Sequence, residues 1–151
     1  MNQGDTELII RHLAAENAHD LEGTLATLHP DCVFEDHATG QIWHGHAGAS
    51  AHYRQWWQSF DVKVVRGKSQ TSYWASGETY IAEATWHGRH IGEFLGIAAT
   101  NALIRQPFVV FVGMRDGLMA GETFYYDLAS LVSQIGQDCL PQLKSLPFRA
   151  A

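Results

Sequence analysis

Basic side chains are in short supply. Ten Lys and Arg stand against sixteen Asp and Glu, a formal net charge of −6. No basic stripe exists to track a phosphate backbone, which argues against nucleic acid as a partner. Cysteine is scarcer still: Cys32 and Cys139 lie far apart, in neither a metal nor a redox spacing, and do not describe a secreted disulfide scaffold. No apolar run approaches the length of a membrane-spanning helix, so no membrane partner is expected. The opening MNQGDTELIIRHL carries acids where an export signal needs Lys or Arg, and the expected location is the cytoplasm. A Gly-rich phosphate loop, a GxSxG elbow and a Cys–His nucleophile pattern are also missing.

What is present is a chain of 151 residues, 46% hydrophobic and 17% charged, long enough for one domain spanning 1–151 with a buried core. Asp5 or Thr6 can cap a first helix with an apolar stripe of Ile9, Ile10 and Leu13, His12 at its edge. Asp20 caps a short second helix carrying Leu21, Leu25 and Leu28, which Pro30–Asp31 ends. In the strand 32–37, Cys32, Phe34 and Asp36 share one face and Val33, Glu35 and His37 the other. A third helix, Ala47–Phe60, has the stripe Ala49, Tyr53, Trp56, Trp57 and Phe60. Antiparallel strands follow from Asp61 onward. Tyr80, Ala82, Ala84 and Trp86 share a face, His87–Gly88 reads as a turn, and Arg115-Asp116-Gly117 as a hairpin turn. The last strand, Met119–Tyr126, places Met119, Thr123 and Tyr125 with Asp127 on one face, and Glu122, Phe124 and Tyr126 on the other. A short helix, Leu128–Ile135, follows.

This order predicts an α+β fold: three N-terminal helices packed on one face of a curved antiparallel sheet, and a short C-terminal helix. The strand Phe108–Val112 is apolar on both faces, so both faces should be covered. With no further element to cover the second, a homodimer is expected.

The elements and motifs together resemble the NTF2-like superfamily. RHLAAENAHDLEG (Arg11–Gly23) and VFEDHATG (Val33–Gly40) are similar to the N-terminal third of ketosteroid isomerases. WHGRHIGEFLG (Trp86–Gly96) and RDGLMAGETFYYDLASLVSQIG (Arg115–Gly136) are similar to SnoaL-like polyketide cyclases. The resemblance implies a cone-shaped pocket, no cofactor, and either isomerase- or cyclase-type proton transfer. It puts the isomerases' general base at Asp36, and their helix-borne oxyanion donor, a tyrosine, at His12. The isomerases' second donor falls near Val109 or Val110, which cannot donate. The cyclases' general acid/base falls at Asp127, while their strand polar residues become Phe111 and Gly113. His90 lies in a cyclase-like segment. No Arg stands between two acids, as epoxide hydrolysis in this fold requires.

The candidate catalytic residues are therefore Asp127, Asp36, His90 and His12. Each has a structural alternative: helix cap, strand end, or packed core histidine. Tyr53, Trp57, Tyr125, Phe94, His44 and Trp86 are candidates to bind a small hydrophobic ligand, since a cone lined by a few aromatics suits a flat apolar compound with few oxygens. His44 and His46 form the one close histidine pair, but with no acid at a familiar metal spacing, and no metal is expected. The alternative to an enzyme is a ligand-binding or dimerisation module.

Overall fold

Helix α1 (Gln3–Asn17) opens the computed structural model, which describes residues 3–137. Cys139 lies outside the described residues. After α1 come α2 (Leu21–Leu25), β1 (Leu28–Asp36), β2 (Gln41–His44), α3 (Gly45–Phe60), β3 (Lys63–Val65), β4 (Ser72–Ser76), β5 (Thr79–Arg89), β6 (Leu103–Arg115), β7 (Leu118–Tyr126) and α4 (Leu128–Gln134). Asp20 caps α2 by accepting the Gly23 amide at 3.0 Å.

Seven strands form one sheet in the order β2-β1-β7-β6-β5-β3, with β4 also paired to β5. All pairs are antiparallel except β1 with β7. The sheet is curved and does not close. Helix α3 packs on β1, β2 and β5, and α1 on β3 and β7, so the helices cover one face of the sheet. The fold is the α+β arrangement expected from the order of elements.

Between helices and sheet lies an aromatic core. Trp86 stacks on Trp56 at 4.4 Å and on Phe108 at 4.1 Å, and Phe34, Phe60 and Phe124 complete it. Strand β6 shows how the sheet divides: Phe108, Val110, Val112 and Met114 are buried, while Leu103 and Phe111 are exposed. The outer face of β6 is thus open in the single chain.

Three local expectations are corrected. Strand β1 begins at Leu28 rather than Cys32, and Pro30 and Asp31 lie within it. A register shift separates the pairs Leu28↔Met119 and Val33↔Gly121, so Pro30 sits in an irregular stretch where its missing N–H costs little. Strand β5 runs through His87 and Gly88 without turning, to Arg89. A glycine is needed at 88 because a Cβ there would lie 2.3 Å from the Phe60 carbonyl oxygen, where the end of α3 crosses the strand.

The third correction sets up the site. Gly113 pairs with Gly121 but Met114 pairs with Met119, so Ala120 is an extra residue, a β-bulge. The bulge changes the parity of β7: Met119 turns to the same side as Glu122 and Phe124, not to the side of Thr123 and Tyr125. Gly121 holds the kink, with φ +139 and a position where a Cβ would meet the Val33 carbonyl oxygen at 1.8 Å.

Candidate functional site

A cavity of about 120 Å³ opens between α1 and the inner sheet face. Its walls are apolar: Ile9 and Leu13 of α1, Val64 of β3, Ala82 and Ala84 of β5, Phe108, Val110 and Val112 of β6, and Met119 and Phe124 of β7. The alanines of β5 leave room where larger residues would fill the cone. His12 and Glu16, one helical turn apart on α1, and Glu122 on β7 supply polar groups to this lining.

These three join one buried network. His12 Nδ1 lies 2.6 Å from Thr27 Oγ1. Thr27 gives its own hydroxyl proton to the Thr24 carbonyl at 2.6 Å, so toward His12 it can only accept. The proton of His12 is therefore on Nδ1, and in the neutral ring Nε2 is an acceptor. Tyr53 from α3 places its hydroxyl 3.0 Å from that Nε2 and 3.3 Å from Glu122 Oε2. Tyr53 donates its one proton to Glu122 Oε2 when that group is a carboxylate; when Glu122 is protonated, Glu122 can donate to the Tyr53 oxygen and Tyr53 to His12 Nε2. His12 Nε2 also lies 4.0 Å from a carboxylate oxygen of Glu16 and 4.0 Å from one of Glu122.

Burial governs the charges. It pushes Glu122 up from the ordinary carboxylate value to about 7, against the opposing effect of the Tyr53 hydrogen bond. Glu16 is driven well above its usual range by burial and then by the nearby Glu122 charge. His12 falls to about 4 because burial disfavours the imidazolium. Tyr53 is pushed upward by burial first, then by the two glutamates. Burial thus favours the protonated form of both carboxyl groups and the neutral form of the histidine they flank.

The other residues singled out in the sequence are placed as follows. Asp127 is exposed at the β7–α4 joint, where Oδ1 accepts the Ser130 amide at 2.9 Å as the N-cap of α4. Asp36 is buried but does not line the cavity. Its Oδ1 accepts the amides of Ala38 and Thr39 at 2.9 and 3.0 Å, and its Oδ2 accepts the Tyr126 hydroxyl at 2.8 Å. It organises the turn after β1. His90 is buried against Phe60 at 5.1 Å, and its Nδ1 accepts the Thr100 amide at 3.2 Å. Phe94 packs beside it on Phe60 and Trp56. His44 is exposed at the start of α3, and Tyr125 is exposed on the outer face, stacked on His37 at 4.4 Å. Trp86 backs the cavity wall through Phe108, and Trp57 stacks on Tyr53 at 5.4 Å. Of the ten, the structure gathers His12 and Tyr53 at the polar end of the cavity and puts Trp57 and Trp86 behind it; the rest lie elsewhere. Among the described residues no group of three or more His, Cys, Asp or Glu is arranged to hold a metal ion.

The sequence reading missed Glu16 and Glu122. Glu16 had a signal, its i+4 spacing from His12. Glu122 was placed correctly with Phe124 and Tyr126, on the face that proves to be the inner one. The resemblance places the acid at Asp127 instead, five residues further on and outside the cavity lining.

The SnoaL-like domain family matches residues 9–122, a span that ends on Glu122 and includes both His12 and Glu16. The chain belongs to that family. This places it in the NTF2-like superfamily, in agreement with the cone built by α1–α3 and the sheet. Among solved structures, it is similar to a candidate polyketide cyclase from Silicibacter sp. TM1040, with 25% identity, a TM-score of 0.78, and coverage of 89% of this chain and 97% of that one. A candidate polyketide cyclase from Pseudomonas putida KT2440 has 26% identity and a TM-score of 0.75, over 86% of this chain and 96% of that one. A protein of ketosteroid isomerase-like fold from Catenulispora acidiphila, solved with trimethylamine, shares the fold at 20% identity and a TM-score of 0.72, over 89% of this chain and 98% of that one. No curated protein matches the chain. No helix among the described residues is long and apolar enough to cross a membrane.

Proposed function

We propose that this SnoaL-like chain is a cofactor-independent acid/base catalyst of the isomerase or cyclase type, acting on a small hydrophobic carbonyl compound. The observation that carries the reading is the pair Glu16 and Glu122, set beside His12 in the lining of an apolar cavity. Two carboxyl groups that line one apolar cavity can supply a base in the ionised form and a hydrogen-bond donor in the protonated form. In this reading Glu122, as carboxylate, takes a proton from the carbon next to the substrate carbonyl. The C–H electrons move into the carbon–carbon bond and on to the carbonyl oxygen, which becomes an enolate. Protonated Glu16 donates a hydrogen bond to that oxygen. Return of the proton to another carbon gives isomerisation; attack of the enolate carbon on a second carbonyl gives ring closure, with that carbonyl oxygen becoming an alkoxide that takes the proton back from Glu122. Tyr53 and the Thr27-anchored His12 are positioning residues that hold Glu122.

The test is turnover of a panel of enones, lactones and polyketide-like esters. Glu122→Gln keeps the shape but cannot titrate, and should lower turnover by about a hundredfold or more. Glu16→Gln retains an N–H donor and should lose less than Glu16→Ala. Unchanged turnover in Glu122→Gln overturns the assignment.

A second reading, a ligand-binding module without chemistry, is favoured by one observation. Asp36 and Asp127, the positions where the resembled enzymes carry acids, are both occupied with local backbone and side-chain hydrogen bonds outside the cavity lining. Ligand binding by the unmodified protein with no turnover across the panel would favour this reading.

A further inference from the structure

The cavity is electrically lopsided. Its acids, Glu16 and Glu122, sit beside the buried His12, while the Arg among its described lining residues is the exposed Arg66, just beyond β3. Arg66, Ile10 and Tyr80 belong both to the cavity lining and to a wider outer groove of about 760 Å³ that runs on over Tyr73 and Trp74. They therefore mark the mouth. Ile10 is 64% exposed and Tyr73 56% exposed, so the approach is an open, largely apolar shelf. Among the described residues lining this outer groove none is an Asp or Glu. Arg66 Nη1 donates to the Tyr80 hydroxyl at 3.3 Å and Nη2 to the Gln70 carbonyl at 3.5 Å, and among the described residues no ion pair holds it. The guanidinium is thus held at the mouth by two neutral acceptors.

We propose that the compound taken into this cavity is an amphiphile with an anionic group, a carboxylate or its equivalent, which Arg66 holds at the mouth while the carbonyl end enters toward Glu16 and Glu122. This rests on the reading of the cavity as a substrate site, and it names the substrate class. A guanidinium recognises a planar carboxylate through paired N–H donors, and the acidic inner end repels the same group, so both ends favour one orientation. Tyr80 and Trp74, with rings 5.3 Å apart, give the connecting chain an apolar surface to lie on.

The probes are β-benzoylpropionate, a phenyl ketone acid, and its primary amide, which has nearly the same shape without the charge. Binding is measured by calorimetry at low and high salt. The unmodified protein should bind the acid about three- to tenfold more tightly than the amide, and salt should weaken the acid alone. Arg66→Gln, a change at an exposed side chain, should remove the preference while leaving amide affinity in place; Arg66→Lys should keep part of it. Ala84→Leu, which fills the cavity, should weaken both probes. No preference in the unmodified protein, a preference that survives Arg66→Gln, or no binding of either probe at millimolar concentration overturns the proposal. So does acid binding untouched by Ala84→Leu, which would put the anion outside the cavity. Failure of the catalytic reading has a different signature: turnover indifferent to Glu122→Gln, with the charge preference intact.

Discussion

A glutamate and a histidine that share one buried network respond to pH in opposite directions. Glu122 has its folded-state value raised from 4.5 to about 7, so between those values the folded chain holds a proton the unfolded chain has lost. Its contribution to stability is full below the lower value and is lost as pH rises through the upper one. His12 is lowered from 6.5 to about 4, so the unfolded chain takes up a proton the folded chain refuses, and stability is lost as pH falls through that window. His52, buried among Phe34, Trp43 and Phe124, is lowered to about 3 and acts in the same direction as His12. Between about pH 5 and pH 6.5 the glutamate offsets the histidines. Urea unfolding of Glu122→Gln should therefore show a steeper loss of stability on acidification than the unmodified protein; parallel curves would refute the opposition. The same group predicts that turnover rises with pH through about 7, as ionised Glu122 accumulates. Asp127 belongs to another category. Asn can replace it as the N-cap of α4, so Asp127→Asn should change stability by well under about 1 kcal/mol. It should also leave turnover intact, and a hundredfold loss would return Asp127 to the chemistry.

At the scale of elements, the β7 bulge is the device that gives the cavity both Met119 and Glu122. Period-two reading of the last strand separates them onto opposite faces, because an inserted residue leaves no mark in hydrophobic alternation. The sequence does contain a hint in Gly121, but a lone glycine in a strand has several uses. Elements with an unbroken period were legible: the buried set Cys32, Phe34 and Asp36 of β1, the stripe Ala49, Tyr53, Trp56 and Phe60 of α3 with Trp57 half-buried beside it, and the cap at Asp20. Gly88 was misread as a turn because the carbonyl that demands it belongs to Phe60, a neighbour that only tertiary packing supplies. The site was half legible for the same reason. Burial of Tyr53 follows from its helical stripe, whereas the meeting of Glu16 with Glu122 depends on how α1 lies over β7. Gly121→Ala tests the bulge. With φ +139 and no room beside Val33, the new methyl forces the backbone to move and should cost about 3 kcal/mol or more. A cost near zero would mean the kink is not needed.

At the scale of the molecule, one face of the sheet remains to be accounted for. The helices bury the inner face, and the outer face of β6 and β7 presents Leu103, Phe111 and Tyr125, which are 69%, 38% and 46% exposed. Phe111 and Tyr125 meet edge-on with ring centroids 5.7 Å apart, so they form a patch rather than scattered residues. Solvating such a patch is unfavourable by about 25 cal/mol for each Å² of apolar area, and a second copy is the partner every molecule of this chain has at hand. We therefore propose a homodimer that joins outer sheet face to outer sheet face, needing roughly 1,200–2,000 Å² of total buried surface to be stable. A charge at the centre of that contact would be desolvated without a partner, at a cost of several kcal/mol. Phe111→Glu should thus convert the dimer to a monomer in sedimentation equilibrium at micromolar concentration. Because position 111 points away from the cavity lined by Val110 and Val112, the variant should still fold and still bind benzoylpropionate with its preference over the amide. A monomer already in the unmodified protein would refute the dimer, and so would a dimer indifferent to Phe111→Glu. Loss of ligand binding in the monomeric variant would instead tie the cavity to the assembly, through the β6 backbone that the two faces share.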